Sequence, residues 1–232
     1  MDAAGVTVGP PLAVLFDWDN TLVENWLSIQ AAMNAALADA GREPFDLDEV
    51  KVTARFSGRE IFPRVFGDNW QKAREIFLEH FARHHLAGLK IMPGAETLME
   101  ALEEKGVPLA IVSNKIGDLL RREVAHLGWS SRFLAVVGAQ DAPVDKPDPA
   151  PVLLVLNQAG IEAGARIWMV GDTDIDMRAG VAAGCSGILV GPDPIDPALL
   201  AGAEPLHRFH SCVELAGFVR AGMDTISQES KG

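Results

Sequence analysis

The stretch VLFDWDNTLV, residues 14–23, decides how the chain is read. Val14, Leu15 and Phe16 make a short apolar strand, and Asp17, Trp18, Asp19, Asn20 and Thr21 leave it at its carboxyl end. Alternate residues of an extended chain face the same side, so Asp17 and Asp19 start out aimed at one point. Two carboxylates aimed at one place repel. A cation between them, or a division into acid and base, relieves the conflict. A lone D-x-D is also an ordinary capping turn at a helix start, so the rest of the chain has to decide.

Beyond Pro93, apolar runs alternate with helical patterns. Strands are expected over 107–114, 133–139, 166–172, 187–191 and, more weakly, 207–210. Helices are expected over 98–105, 119–127, 151–160, 175–183 and 213–220. Strands this apolar are covered on both faces, and their alternation with helices implies a doubly wound parallel α/β sheet. Residues 22–90 differ, for they carry no strand alternation. Trp26, Ile29, Met33 and Leu37 fall at helical spacing up to a stop at Gly41. A short helix follows over 47–53, and Trp70, Ala73, Phe77 and Phe81 mark another. The expected organisation is an α/β core from residues 1–21 and 91–232 with an inserted α-helical cap over 22–90. Residues 1–11 read as a loose leader, and those from Thr225 as a frayed end.

A chain of 232 residues suits such a core with one insertion, and 48% hydrophobic with 22% charged residues fits a water-soluble protein with a full core. No apolar run approaches the roughly 18 residues that span a bilayer. The first basic residue is Arg42, so the start of a secretory signal is missing and a cytoplasmic location is expected. Cys185 and Cys212 are read as reduced core thiols. A formal charge of −12 argues against nucleic acid and anionic membranes as partners. It also means that a site for an anionic substrate has to be made locally positive, by a metal or a lysine.

Polar residues recur where the strands end. After Asp17 and Asp19 come Ser113, Asn114 and Lys115 on the second core strand, then GDTDID (171–176), with Asp172, Asp174 and Asp176, on the fourth. In open parallel sheets the ligand site lies outside the carboxyl ends of the strands, so these groups converge on one crevice. Lys146 lies in a loop stiffened by Pro147 and Pro149, which suits a lysine held over that crevice.

Together these residues resemble the haloacid dehalogenase superfamily, in its phosphatase branch. DWDNT matches the motif D-x-D-x-T, Ser113 the second motif, Lys146 the third, and Asp172 with Asp176 the fourth, G-D-x-x-x-D. Trp18 and Asn20 depart from the commonest form, where a smaller apolar residue and a glycine stand. Asn tolerates the left-handed backbone better than most residues, so the turn is expected to survive. The resemblance implies a Rossmann-like core, Asp17 as nucleophile on phosphorus, and Asp19 as acid and then base. It implies Mg²⁺ held by Asp17, the Asp19 carbonyl and Asp172, with Asp176 orienting that shell. Ser113 and Asn114 would donate to phosphoryl oxygens, Thr21 would lie on the substrate side, and Lys146 would neutralise charge. Asp174 is read as a loop cap. SNK (113–115), KPDPAP (146–151) and AAGC (182–185) are similar to phosphoglycolate phosphatases. The expected partner is therefore a small phosphorylated metabolite, possessed by a monomer or homodimer.

Two alternatives share the chemistry. A phosphomutase resembling β-phosphoglucomutase would return the phosphoryl group to its substrate, whereas a signalling receiver needs neither an inserted cap nor a second aspartate. A dehalogenase has no use for Asp19 or for a phosphate-and-metal site. Substrate choice is expected from ARFSGREIFPRVFG (54–67), with Arg59 first, Arg55 second and Arg64 also placed to grip an anion. His80, His84 and His85 read as a solvated or partly packed helix face, Trp26 and Trp70 as cap core, and Trp18 as a core residue or a substrate contact.

Overall fold

The computed structural model describes residues 10–53, 58–192 and 194–222. Six parallel strands make the central sheet: β1 (Ala13–Phe16), β4 (Leu109–Ile116), β5 (Phe133–Ala139), β6 (Ile167–Gly171), β7 (Ser186–Val190) and β8 (His207–Phe209). Their order is β5-β4-β1-β6-β7-β8. β1 is thus central, hydrogen-bonded to β4 on one side and β6 on the other. The chain winds outward from β1 in one direction and then in the other, so the crevice at that reversal opens over the end of β1.

Apolar residues on both sides of each strand explain the two-layer cover. Val14 and Phe16 face a cluster that includes Leu109, Ile111, Trp168 and Val170. Helices α5 (Ala95–Glu103), α6 (Gly117–His126) and α9 (Cys212–Arg220) pack there. Ala13 and Leu15 face the opposite cluster, closed by α7 (Ala150–Ala159) and α8 (Asp174–Ala182). Every core strand and helix expected from the sequence forms at its place. β4 alone runs on through Lys115 and Ile116, with its register shifted between Val112 and Ile116. Such an irregularity re-aims side chains, and it lies where Ser113, Asn114 and Lys115 meet the crevice.

Before β4 lies a helical region of α1 (Trp26–Asp39), α2 (Leu47–Thr53), α3 (Gly58–Phe66) and α4 (Trp70–His84). It has its own apolar centre, with Met33 and Leu37 from α1, Ile61, Phe62 and Phe66 from α3, and Ala73 from α4. Two features here differ from the sequence reading. Gly58 opens α3, a helix not expected between 54 and 67, and Pro63 lies inside it. Both residues disfavour helix locally, and burial of Ile61, Phe62 and Phe66 overrides them. The region is also bracketed by a two-stranded antiparallel pair, β2 (Val23–Glu24) with β3 (Lys90–Ile91). Strands of two residues are too short for any periodicity to mark.

Asn20 takes φ +65°, as its replacement of glycine requires. Both cysteines are buried and unpaired. Among the described residues no helix is long and apolar enough to cross a membrane.

One glycine fixes how β5 lies against the corner that carries Lys115. A Cβ at Gly138 would lie 2.5 Å from both the Gly117 Cα and the Lys115 carbonyl oxygen, and neither backbone atom can move aside. Gly138→Ala is therefore expected to destabilise the fold by about 1–3 kcal/mol, the usual cost of overpacking. Urea unfolding monitored by circular dichroism measures it; an unchanged midpoint would mean that the corner yields freely.

Candidate active site

The carboxyl ends of β1, β4 and β6 and the underside of the helical region enclose a cavity of about 220 Å³. Its floor carries Asp17, Asp19, Ser113, Asn114, Lys115, Lys146, Asp172 and Asp176. Its roof is largely apolar, with Trp26, Met33, Phe62, Phe77 and Phe81. Ligand sites commonly span roughly 300–1,000 Å³, so this space suits a small molecule.

Lys146 is the hub of the floor and is almost wholly buried. Its Nζ donates to Asp17 Oδ1 at 2.7 Å, to Asp176 Oδ1 at 2.6 Å and to the Val112 carbonyl at 2.8 Å. All three ammonium protons are thereby used. Burial alone would depress the lysine pKa, but the charges and hydrogen bonds of Asp17 and Asp176 outweigh it and hold the group above its ordinary value. Asn114 holds the same lysine from its backbone. Its amide nitrogen donates to the Lys146 carbonyl and its amide oxygen accepts from the Lys146 N–H, both at 2.9 Å. The Asn114 side chain, expected to donate to phosphoryl oxygens, is instead spent on positioning Lys146.

Asp17, Asp172 and Asp176 offer carboxylate oxygens that all lie within 4.8 Å of one another. Asp17 rises to about 6, first through burial and then through the nearby Asp176, with Lys146 opposing. Asp172 rises well above the carboxylate range, again through burial first and then through Asp176 and Asp17. Crowded, under-neutralised oxygen donors are what a hard divalent cation requires, so the donor set fits one. Asp176 has little left to give. Its second oxygen accepts from the Thr173 N–H at 3.1 Å and the Thr173 hydroxyl at 2.7 Å. It can stand this close to β6 because a Cβ at Gly171 would lie 2.5 Å from that same oxygen.

Asp19 turns its carboxylate to Lys115, whose Nζ donates to Oδ1 at 2.7 Å. Burial raises the Asp19 pKa, Lys115 lowers it and Glu123 raises it, with a net upward shift. Ser113 is buried at the cavity, and its Oγ accepts from the Lys115 N–H at 3.2 Å.

The remaining candidates divide. Thr21 is buried but does not line the cavity; its carbonyl accepts from the Cys212 thiol. Trp18 turns into the core, edge-on to Trp129, and its indole N–H donates to Glu123 at 2.6 Å, so it is not a substrate contact. Arg59 does line the cavity, but its guanidinium donates to the Pro143 carbonyl at 2.7 Å and pairs with Asp145 at 3.3 Å. Arg64 lies outside the cavity, and Arg55 lies outside the described residues. His85, expected on a partly solvated helix face, is fully buried against Glu123 at 2.6 Å.

Two site residues escaped sequence reasoning, and a third was placed there without a role. Arg74, on α4, reaches the cavity and has no hydrogen-bond or ionic partner among the described residues. Lys115 was expected at the crevice beside Ser113 and Asn114 but was given no role of its own. Glu123 left a faint trace, since it shares the buried helical stripe of Leu119, Leu120 and Val124.

Residues 14–190 match the family model of haloacid dehalogenase-like hydrolases. The chain belongs to that family. A phosphoglycolate phosphatase from Rhodospirillum rubrum is 31% identical over 232 residues, covering 93% of this chain and 95% of the relative. Another from Aquifex aeolicus is 33% identical over 172 residues, covering 74% of this chain and 80% of the relative. A haloacid dehalogenase-like hydrolase structure from Bacteroides fragilis superposes with a TM-score of 0.80 at 20% identity, over 88% of this chain and 99% of that one. The last likeness speaks to the fold alone.

The raised carboxyls of this family member carry a pH signature. A carboxyl whose pKa is higher folded than unfolded stabilises the fold when protonated. For Asp17 that contribution is full below 3.8 and lost as pH rises through about 6. The metal-free protein is thus expected to gain stability as pH falls from about 7 toward 4.5, Asp17 alone contributing up to about 3 kcal/mol. Below 4.5 the trend reverses, because Glu123 is held under that ordinary value. Burial opposes this shift, and the His85 hydrogen bond and Lys115 overcome it. Thermal unfolding after chelation, across this range, measures the effect. Added Mg²⁺ at neutral pH should raise the midpoint in place of protons; a flat pH profile with no response to Mg²⁺ would rule the account out.

Proposed function

We propose that the chain is a Mg²⁺-dependent phosphomonoester hydrolase working through an aspartyl-phosphate on Asp17, with 2-phosphoglycolate as its substrate. The observation that carries this is Asp17 itself. It leaves a central strand into a cavity where Lys146, Asp172 and Asp176 surround it and a second carboxylate, Asp19, stands two residues away. Residues 22–90 act as the cap over that core, and the names of the relatives supply the substrate.

The steps follow from the side chains. An Asp17 oxygen attacks phosphorus while the ester oxygen leaves, and Asp19 gives that oxygen its proton. Water then attacks the aspartyl-phosphate, Asp19 takes a proton from it, and phosphate departs with Asp17 restored. Lys146 keeps Asp17 oriented and offsets negative charge gathered at the transferring group. Ser113 lines the phosphoryl end, and Asn114 acts through Lys146. Asp17, Asp172 and the Asp19 carbonyl would hold Mg²⁺, with Asp176 bracing them, and the ion would supply the further positive charge that an anionic substrate needs here.

Asp17→Asn is expected to abolish turnover, because it removes the nucleophile. Asp19→Ala is expected to lose about 10²–10⁴-fold on alkyl phosphates and much less on 4-nitrophenyl phosphate, whose leaving group needs no proton. Phosphate release from both substrates measures this. More activity in Asp17→Asn than in Asp19→Ala on both would reverse the roles.

The substrate's second anion is read by Arg74 rather than by Arg59. An arginine already bonded to Pro143 and Asp145 serves as a latch between cap and core. Arg74 is half-buried among apolar neighbours, with its donors free to take a carboxylate. Arg74→Leu is expected to raise KM for 2-phosphoglycolate by the ~1.5–3 kcal/mol of a charged hydrogen bond and to leave KM for 4-nitrophenyl phosphate almost unchanged. Equal effects on the two substrates would remove Arg74 from this role.

A further inference from the structure

Glu123 is a carboxylate with no exposure to water, buried on α6. Nothing in the phosphoryl chemistry uses it, yet both its oxygens are fully engaged. Oε2 accepts from the Trp18 indole at 2.6 Å and from Lys115 Nζ at 2.7 Å. Oε1 meets His85 Nδ1 at 2.6 Å and Asn25 Nδ2 at 3.3 Å. An ionised carboxylate only accepts, so His85 carries a proton on Nδ1. These four partners come from separate places. Trp18 lies between the paired aspartates, and Lys115 on the irregular end of β4. Asn25 and His85 lie in the two linkers that join the helical insertion to the core, and they are tied to each other by Asn25 Nδ2 donating to the His85 carbonyl at 2.9 Å.

Lys115 is the link that reaches the reaction. Its ammonium bridges Glu123 and Asp19, each at 2.7 Å, and lies 5.2 Å from the centre of the Phe81 ring. A lysine held only by Asp19 would follow that side chain through its rotamers. Held also by a buried glutamate and an aromatic face, it is a fixed point, and Asp19 must orient to it.

We infer that Lys115, fixed by Glu123, is the positioning residue for the Asp19 carboxylate, and that Glu123 joins that carboxylate to both linkers of the insertion. This rests on Asp19 being the proton donor of the proposed hydrolysis. Lys115 does not touch the phosphoryl group in this role; it sets where the proton is delivered from. The competing account is that Lys115 merely neutralises Glu123 and has no bearing on the reaction.

The two accounts part on leaving groups. Lys115→Met is measured as kcat/KM, which reports transfer to Asp17, on an alkyl phosphate such as 2-phosphoglycolate and on 4-nitrophenyl phosphate. The expected result is a loss of about tenfold or more on the alkyl ester, a part of what acid catalysis contributes, with little loss on the nitrophenyl ester. In an Asp19→Ala background the same change should add nothing. Glu123→Gln should move the two substrates in the same unequal way, and Lys115→Gln serves as a second variant. Equal losses on the two esters, an additive effect with Asp19→Ala, or failure of both Lys115 variants to fold would overturn the inference and leave Lys115 a structural residue. Wild-type protein that hydrolyses neither ester would overturn the hydrolase reading as well; wild-type turnover of both with equal losses in the variants would overturn only the positioning role.

Discussion

The structure turns on a shortage of positive charge. Asp17, Asp19, Asp172, Asp176 and Glu123 gather around the carboxyl ends of three strands, and among the described residues the only ammonium groups paired with them from within are those of Lys115 and Lys146. Five carboxylates against two ammoniums cannot all remain ionised in a buried setting, and the upward shifts of Asp17, Asp19 and Asp172 are the response. Such an arrangement does not maximise stability. Buried ion pairs seldom repay their desolvation in full, and a cluster with excess negative charge repays less. Its sense is chemical: the crowded donors fit a divalent cation, and under the proposed function that cation is what would make the floor attractive to a phosphate ester.

The loop that carries Lys146 shows how the fold keeps its few cations in place. Asn114 clamps the lysine backbone in both directions, while Val112, Asp17 and Asp176 take its ammonium. A few residues earlier on the same loop, Pro143 and Asp145 receive Arg59 from the helical insertion. One loop thus holds the floor's cation and the ion pair with the helical region.

What the sequence disclosed follows the same physics. Parallel strands buried on both faces read as plain apolar runs, so β1, β4, β5, β6 and β7 were legible, and so were the polar residues at their ends. Asp17, Asp19, Asp172 and Lys146 sit where topology alone sends them, and their meeting could be expected before any coordinates. Gly58 and Pro63 hid α3, because tertiary burial rather than propensity makes that helix. Asn114 was assigned to phosphate because its amide chemistry suits either task; only the position of the Lys146 backbone decides between them. Arg59 and Arg74 are indistinguishable as residue types. Their difference is that one has found Pro143 and Asp145, and no local pattern encodes that.

The division between floor and roof then explains how one constellation can serve a family of hydrolases. Under the proposed function every floor group is committed to phosphorus, metal, proton or lysine, which leaves none to inspect the rest of the substrate. The roof is apolar except at Thr53, Arg59 and Arg74, and Arg59 is already engaged. Within so small a cavity an apolar wall rejects bulk, and one unpaired arginine in it strongly favours an anion, because leaving that charge half-buried without a partner is unfavourable. On the proposed reading, selectivity rests on the contrast between wall and cation, both supplied by α1, α3 and α4. A change of substrate needs only new side chains on those helices, while the charge balance beneath them stays intact.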